Sequence, residues 1–131
     1  MRSVRAIDEK GVKDLEIRGR YLRRRGFGGY RSDDVDAFLL ELIGAVRGLV
    51  AENEGLRAGA SPESVPSTAS RRMTPLDVEV ATFHRARVGG YDMRSVDEYL
   101  DEVTELLFSL THENEALRRR SSERGREDVN R

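Results

Sequence analysis

The chain contains two copies of one unit, and this duplication restricts the possible fold more than any other feature. The segment GYRSDDVDAFL at residues 29–39 returns as GYDMRSVDEYL at residues 90–100. Both copies continue without a gap to matching ends, AENEGLR at residues 51–57 and HENEALR at residues 112–118. A unit of roughly 45 to 50 residues has been repeated, so each copy is expected to adopt the same structure.

Behind each Gly-Tyr, apolar residues alternate at spacings of four and three, which predicts the seam of a coiled coil. The seam positions are Val35, Leu39, Leu42, Val46, Leu49, Asn53 and Leu56 in the first copy, and Val96, Leu100, Val103, Leu107, Leu110, Asn114 and Leu117 in the second. Asn53 and Asn114 both fall at the a position, where an amide is tolerated when it meets another amide at the same height. We predict that this pair sets the register of parallel helices. The alternative is that each Asn is a solvated residue in the last helical turn.

The composition agrees with a small helical protein. Of the 131 residues, 37% are hydrophobic and 36% are charged, which suits a coiled coil because it needs only one narrow apolar stripe. The chain has no Cys, no signal peptide and no apolar run near the ~18 residues that span a bilayer, so we expect a cytoplasmic protein. His84 and His112 have no carboxylate cluster at ligand spacing. We therefore expect no enzyme activity, no metal and no cofactor.

The predicted fold class is all-α, with two units that each contain a short helix, a Gly-Tyr turn and a long helix, and that pair as a parallel coiled coil. The predicted domains are a first unit at 1–57 including the polar leader Met1–Lys10, a flexible linker at 58–72, a second unit at 73–120 and a disordered tail at 121–131. The linker is polar and contains two prolines, which disfavours a helix there.

Capping residues predict where the helices begin. In the second copy, Thr74 is the expected N-cap with Asp77 at N3, and Leu76, Val80 and Phe83 are expected to share one face. The short helix of the first copy is less marked because it contains Gly19.

For the long helices, we predict Ser32 as the cap of the first, and either Asp92 or Ser95 as the cap of the second.

These motifs together resemble the N-terminal domain of the bacterial DivIVA family and its relative GpsB. The resemblance is carried by Thr-Pro-Leu-Asp at 74–77, Gly-Tyr-Asp at 90–92, Val-Asp-x-aromatic-Leu-Asp-x-Val at 96–103 and Glu-Asn-x-x-Leu at 113–117. It covers 73–118 nearly throughout, and 12–57 mainly from Gly29 onward. It implies a parallel helical pair whose N-terminal turns cross at one end. It also implies a scaffold for cell division and polar or septal envelope growth, with division or envelope-synthesis proteins as partners.

The resemblance also implies contact with an anionic membrane surface at the inner face of the cell membrane. Family members that bind membranes expose an apolar residue three positions before the Tyr, which is Phe27 in the first copy and Val88 in the second. Arg23, Arg24 and Arg25 stand just before Phe27, where each cation near the surface would contribute about 1 kcal/mol of attraction to anionic lipid. The alternative is that Phe27 folds back onto the end of the helix.

A second implied site is a groove for basic tails. In the relative that binds the tails of membrane proteins, an Asp six positions after the Tyr receives an Arg, with the Tyr alongside. Asp36 with Tyr30 and Asp97 with Tyr91 match this pattern, and a carboxylate offers Arg a bidentate acceptor. The alternative is that each Asp only stabilises the first turn of its helix.

Two other classes of protein share parts of this pattern. A basic segment ahead of a zipper is typical of basic-zipper DNA-binding proteins, but Gly26, Gly28 and Gly29 would break the continuous helix that such proteins need, so we expect no nucleic-acid partner. The other class is a generic coiled-coil oligomerisation module without membrane contact.

The length of the linker determines whether the two copies can pair within one chain. The seam from Val35 to Leu56 rises roughly 33 Å, and the extended linker reaches up to about 50 Å. The chain can therefore pair its two copies with each other, and we predict this intramolecular pair. Apolar residues beside the seam, such as Ile43 and Val50, leave surface through which two chains could dimerise further.

Overall fold

The computed structural model describes residues 8–65 and 73–129, and its regular elements are four helices: α1 Glu9–Arg20, α2 Ser32–Arg57, α3 Pro75–Glu79 and α4 Met93–Val129. Between them the chain forms only isolated β-bridges in this part of the molecule. The all-α prediction is confirmed. Residues 1–7 of the leader, 66–72 of the linker and 130–131 of the tail lie outside the described residues.

The long helices α2 and α4 pack against each other along the predicted seam. The seam residues are buried almost throughout, and Val35, Leu42, Val46, Val96, Val103 and Leu107 have no exposed surface. Because these residues recur at the heptad spacing, each helix turns one continuous apolar face towards the other. The heptad pattern therefore locates the core of the molecule.

Helix α1 covers the apolar surface beside the seam of α2, for which the sequence predicted no partner within the chain. Its Val12 and Leu15 are buried in the same core as Ile43 and Val50 of α2. Its N-terminus is capped by Asp8, whose carboxylate accepts a hydrogen bond from the backbone N–H of Gly11 at 2.9 Å. Part of the surface that we expected to join two chains is thus occupied within one chain.

Gly19 near the end of α1 is required by a close approach. A Cβ atom at this position would lie 2.8 Å from the hydroxyl oxygen of Tyr99. That hydroxyl donates a hydrogen bond to the backbone carbonyl of Leu15 at 2.6 Å. The residue that weakens the helix pattern in the sequence therefore allows α1 to pack on α4.

Helix α3 is shorter than its sequence pattern suggested. The predicted capping box is present, with Thr74 accepting from the backbone N–H of Asp77 and the Asp77 carboxylate accepting from Thr74. The predicted apolar face is wrong, because Val78 is buried while Leu76 and Val80 are each 64% exposed. The helix ends after one turn, so the spacing of a longer helix does not apply beyond it.

The starts of the long helices differ partly from the prediction. Ser32 is the first residue of α2 and not its cap; the cap is Arg31, which makes no capping hydrogen bond through its side chain. The backbone N–H of Arg31 donates to the carbonyl of His84 at 2.8 Å, so a contact with the second copy holds the chain where α2 begins. At α4, Asp92 accepts from the backbone N–H of Ser95 at 3.0 Å and is therefore the cap.

Helix α4 extends beyond the expected end of the second unit. We predicted a disordered tail after Arg120, but the helix continues to Val129. Residues 121–129 contain no proline, and only one glycine interrupts a run of charged and polar residues that a helix tolerates. The described part of the linker, residues 58–65, is not helical.

Candidate functional site

The two Gly-Tyr segments pair with each other at one end of the α2 and α4 pair. We call residues 21–31 and 80–92 the paired loops. Antiparallel bridges join Arg24 to Tyr91, Phe27 to Val88 and Tyr30 to Arg85. The backbones of Tyr30 and Tyr91 exchange two hydrogen bonds, each of 2.9 Å. Each loop is thus held by the other copy of the unit.

Glycine precedes each Tyr because the two backbones come too close for a side chain. Gly29 has φ of 87°, and a Cβ there would lie 2.4 Å from the carbonyl oxygen of Tyr91. A Cβ at Gly90 would lie 2.6 Å from the carbonyl oxygen of Tyr30. The Gly-Tyr motif of both copies is therefore explained by the pairing of the loops.

The paired loops end in two exposed apolar side chains, which we call the apolar tip. Phe27 is 85% exposed and Val88 is 70% exposed, and the bridge between them brings the two residues side by side. The alternative in which Phe27 folds back onto the helix end is wrong for this structure. Arg23 and Arg25 lie close by in the chain and are exposed, and Arg25 also forms an ion pair of 3.5 Å with Asp92.

Arg24 has a different position from its two neighbours. Its guanidinium lies 4.7 Å from the centroid of the Tyr91 ring and donates to the carbonyl of Gly89 at 3.1 Å. Although predicted as a membrane-contact residue with Arg23 and Arg25, it is engaged by the second loop. Sequence alone gave no signal for this stacking.

The four predicted groove residues form two Tyr and Asp pairs, but each pair joins different copies. The hydroxyl of Tyr91 donates to Asp36 at 2.7 Å, and the hydroxyl of Tyr30 donates to Asp97 at 3.1 Å. The motif paired each Tyr with the Asp of its own copy. Because the loops pair across the molecule, each Tyr lies beside the start of the other long helix.

Both tyrosines remain hydrogen-bond donors over the physiological range. Partial burial, and then the hydrogen bond to Asp36, raises the pKa of Tyr91. The same two causes, with Asp97 as the acceptor, raise the pKa of Tyr30. A neutral phenol occupies part of each carboxylate and leaves its other lone pairs for a ligand.

Each Tyr and Asp pair lies in a separate groove of similar size. Groove one has a volume of about 610 Å³ and is lined by α1, α2, both loops and Tyr99 of α4, with Asp36, Leu40, Gly44, Arg47, Glu16 and Arg20 among its residues. Groove two has a volume of about 650 Å³ and is lined by α3, α4 and both loops, with Asp97, Asp101, Glu105, Phe83, Arg85 and Tyr30 among its residues. The duplication has therefore produced two corresponding grooves.

The aromatic wall of groove two comes from both copies. Phe83 contacts Tyr30 and Phe38 edge to face, with ring centroids 5.2 and 5.5 Å apart. His84 next to it donates its backbone N–H to Asp34 at 3.0 Å. That backbone hydrogen bond is the main cause that lowers the pKa of Asp34. These contacts fix the loop that carries Arg85.

The predicted register residues meet at the far end of the seam. The side-chain amide of Asn114 donates to the side-chain oxygen of Asn53 at 2.9 Å, and the amide of Asn53 donates to the carbonyl of Leu110 at 3.1 Å. Both residues are buried, so the alternative of a solvated last turn does not hold. Beside them, buried Glu52 is paired with Arg118 of the same chain.

Comparison with known proteins gives one match. The family model described as DivIVA protein matches residues 73–129, which supports assignment of the second unit to the DivIVA family. A DivIVA domain suggests a coiled-coil scaffold of cell division, and proteins of the family are structural scaffolds and not enzymes. No match was found among curated proteins or among solved structures.

Across residues 8–65 and 73–129, no group of three or more His, Asp and Glu side chains is arranged to hold a metal ion. Within the same part of the chain, no helix has the length and apolar character needed to span a bilayer.

Proposed function

We propose that this chain is a tandem scaffold of the DivIVA type that acts as an adaptor in bacterial cell division or in polar or septal envelope growth. It works in the cytoplasm at the inner face of the cell membrane, with division or envelope-synthesis proteins as partners. The observation that carries the proposal is the end formed by the paired loops, where an apolar tip and two grooves come together. The family match of the second unit agrees with this role.

The two units, 1–57 and 73–120, pair within one chain as a parallel coiled coil. This proposal is supported by contacts near both ends of the long helices. Tyr91 reaches Asp36 in the first turns, and Asn114 reaches Asn53 in the last turns. Arg57 and Glu113 add an ion pair of 2.7 Å next to the amides. The linker at 58–72 then joins the two halves of what would otherwise be a homodimer.

The apolar tip makes the membrane contact. Phe27 and Val88 are exposed large apolar side chains that a bridge brings side by side, and Arg23, Arg25, Arg85 and Arg87 are exposed cations close to them in the chain. An aromatic side chain inserts at the headgroup level while cations attract anionic lipid. The combination favours vesicles that contain anionic lipid over neutral ones.

A vesicle pelleting assay tests the membrane contact. We expect the protein to pellet with anionic vesicles, and we expect Phe27→Glu to lose this binding, because a carboxylate at the tip is repelled by the surface. Phe108→Glu is the matched control, since Phe108 is 66% exposed but lies on α4, away from the paired loops. Pelleting of none of the three proteins would leave the generic coiled-coil module as the better description, and equal pelleting of all three would show that the apolar tip does not make the contact.

Groove two binds the basic tail of a partner. Asp97 keeps acceptor capacity beside Tyr30, and Asp101 and Glu105 continue the acidic face along α4. An Arg in the tail can form a bidentate pair with a carboxylate of this face, and its chain can pack on Phe83. Asp36 in groove one matches the same motif, but it shares its groove with Arg20, Arg24 and Arg47.

A DNA-binding role would need a continuous helix from the arginines into the zipper. Here α1 ends at Arg20, and the chain is not helical again until Ser32. Arg23, Arg24 and Arg25 therefore lie in a loop and not on a recognition helix.

A further inference from the structure

The two grooves correspond in position but differ in chemistry. Residues separated by 61 positions are equivalent in the repeat, as the Asn53 and Asn114 contact illustrates. Asp36 and Asp97 are therefore equivalent. Further along the helix, Leu40 and Gly44 of groove one take the places of Asp101 and Glu105 of groove two. The acidic stripe of one groove is an apolar, open stripe in the other.

The charges around the grooves also have opposite signs. Groove two is lined by three carboxylates and one arginine, Arg85. Groove one is lined by two carboxylates and three arginines, Arg20, Arg24 and Arg47. A positively charged rim favours anionic ligands, and a negatively charged rim favours cationic ones. A basic tail that fits groove two would meet repulsion in groove one.

The arginines of groove one retain donors for a ligand. Arg20 and Arg47 share a single carboxylate, Glu16, at 3.3 and 2.8 Å, and their side chains are 72% and 55% exposed. The hydrogen bond from Arg47 is the main cause that lowers the pKa of Glu16, so this carboxylate stays ionised. With three arginines and two carboxylates in its lining, groove one has an excess of one positive charge. Each guanidinium has five N–H groups, most of which are unused by Glu16.

Asp36 of groove one is less available than its counterpart. It accepts the shorter of the two Tyr hydrogen bonds, 2.7 Å from Tyr91. The ring of Tyr91 is covered by the guanidinium of Arg24. A second cation entering beside Asp36 would therefore lie against Arg24.

Groove one has an apolar floor and is open along α2. Leu39 and Ile43 line the floor and are buried, whereas Leu40 is 77% exposed and a Cβ atom added to Gly44 would have no neighbour within 4 Å. Between the rim arginines and this floor, the groove can take one chain segment that offers an apolar side chain downward and carboxylates outward. We propose that groove one binds an acidic, apolar segment of a partner protein, so that one chain holds two segments of opposite charge. This inference rests on the proposed adaptor function but not on the basic tail in groove two.

Two labelled peptides with the same Leu-Phe core test the inference by fluorescence anisotropy. One is flanked by glutamates and the other by arginines. We expect the full chain to bind both. Gly44→Met should weaken binding of the glutamate-flanked peptide by about tenfold or more, because the methionine side chain fills the groove and excludes the Leu-Phe core of the peptide. The fold should persist, since the site is open and methionine is a better helix former than glycine.

Two further variants separate the sites. Arg47→Gln should also weaken the glutamate-flanked peptide and leave Glu16 paired with Arg20. Asp97→Asn should weaken only the arginine-flanked peptide. If that peptide fails to bind while the other behaves as expected, the basic-tail proposal fails and this one stands.

The inference is overturned if the glutamate-flanked peptide does not bind or if Gly44→Met leaves its binding unchanged. It is also overturned if Gly44→Met reduces pelleting with anionic vesicles and neither peptide depends on Gly44, because the groove would then bind lipid.

Discussion

At the scale of single residues, Tyr99 links the first unit to the second through one buried phenol. Only 5% of the residue is exposed, and its hydroxyl donates to the carbonyl of Leu15 in α1. Burial raises the pKa of Tyr99 from 10.0 to about 12, because a phenolate would be poorly solvated there and could not donate. The neutral form is therefore part of the folded structure.

This gives a prediction about alkaline pH. A raised pKa in the folded state means that the unfolded state loses its proton first, so stability is full below about pH 10 and falls as pH rises towards about 12. Over this pH range the free energy of unfolding falls by roughly 2 to 3 kcal/mol, which is the contribution of Tyr99. Urea unfolding followed by circular dichroism at several pH values measures it.

Tyr99→Phe is the control for this effect. At neutral pH it should cost about 1 kcal/mol for the lost hydrogen bond, but its stability should fall less steeply than wild type above pH 10. A smaller fall in stability with pH should remain in the variant, because the pKa values of Tyr30 and Tyr91 are also raised. Identical slopes in the two proteins would show that Tyr99 does not carry the loss.

The sequence predicts some of these residue contacts and not others. Asn53 and Asn114 could be identified because one heptad frame placed both at the a position. The exchange of partners between Tyr30, Tyr91, Asp36 and Asp97 could not, since it follows from the pairing of the loops and not from any spacing. Comparing the copies position by position would have revealed that Leu40 and Gly44 replace acids.

At the scale of the elements, the paired loops depend on glycine. Gly29→Ala should disrupt them, because φ of 87° disfavours alanine and its Cβ would clash with the carbonyl of Tyr91. We expect a loss of more than about 1 kcal/mol in the free energy of unfolding, together with weaker vesicle binding. Denaturant unfolding and vesicle pelleting measure the two effects.

Gly26→Ala provides a matched control in the same loop. Gly26 has no positive φ, and a Cβ there would meet nothing within 4 Å. It should stay close to wild type in both assays. Equal destabilisation by the two substitutions would mean that chain flexibility, and not the close approach, explains the glycines.

The elements themselves were predictable to different degrees. The long helices follow from the heptad spacing, which extends over six intervals in each copy. The start of α2 and the short length of α3 were not predictable, because Arg31 and Phe83 are held by contacts with the other copy. Local signals fix an element only where tertiary contacts do not move its ends.

At the scale of the whole molecule, the prediction concerns pairing. The chain has no Cys, so Asn53→Cys with Asn114→Cys introduces a unique pair at positions whose side chains touch. On oxidation we expect a disulfide within one chain, which migrates as a monomer on a non-reducing gel. Light scattering at low micromolar concentration should give the mass of one chain, or the mass of two chains if two such intramolecular pairs dimerise.

The single variant Asn53→Cys is the control for the pairing experiment. If two α2 helices from different chains paired, it would form a disulfide-linked dimer by itself. Interchain dimers in the single variant, or disulfides that always join two chains in the double variant, would contradict the intramolecular pair.

The contacts between the two copies have one consequence for the speed of folding. They join residues that are all far apart in the chain, 55 positions for Tyr91 and Asp36, 61 for the Asn pair and 67 for Tyr30 and Asp97. In a hairpin of antiparallel helices, contacts beside the turn are local and can form first. Here every first contact between the copies must close a loop of about 60 residues, which costs roughly 3 to 4 kcal/mol of chain entropy.

During synthesis the same separation becomes a delay. When α2 is complete, about 60 more residues must still be made, which takes several seconds at roughly 5 to 20 residues per second. Its apolar seam has no partner in its own chain during that time. Neighbouring nascent chains on one message carry the same seam, so synthesis itself is the stage at which exchange of helices between chains competes with the pair inside one chain.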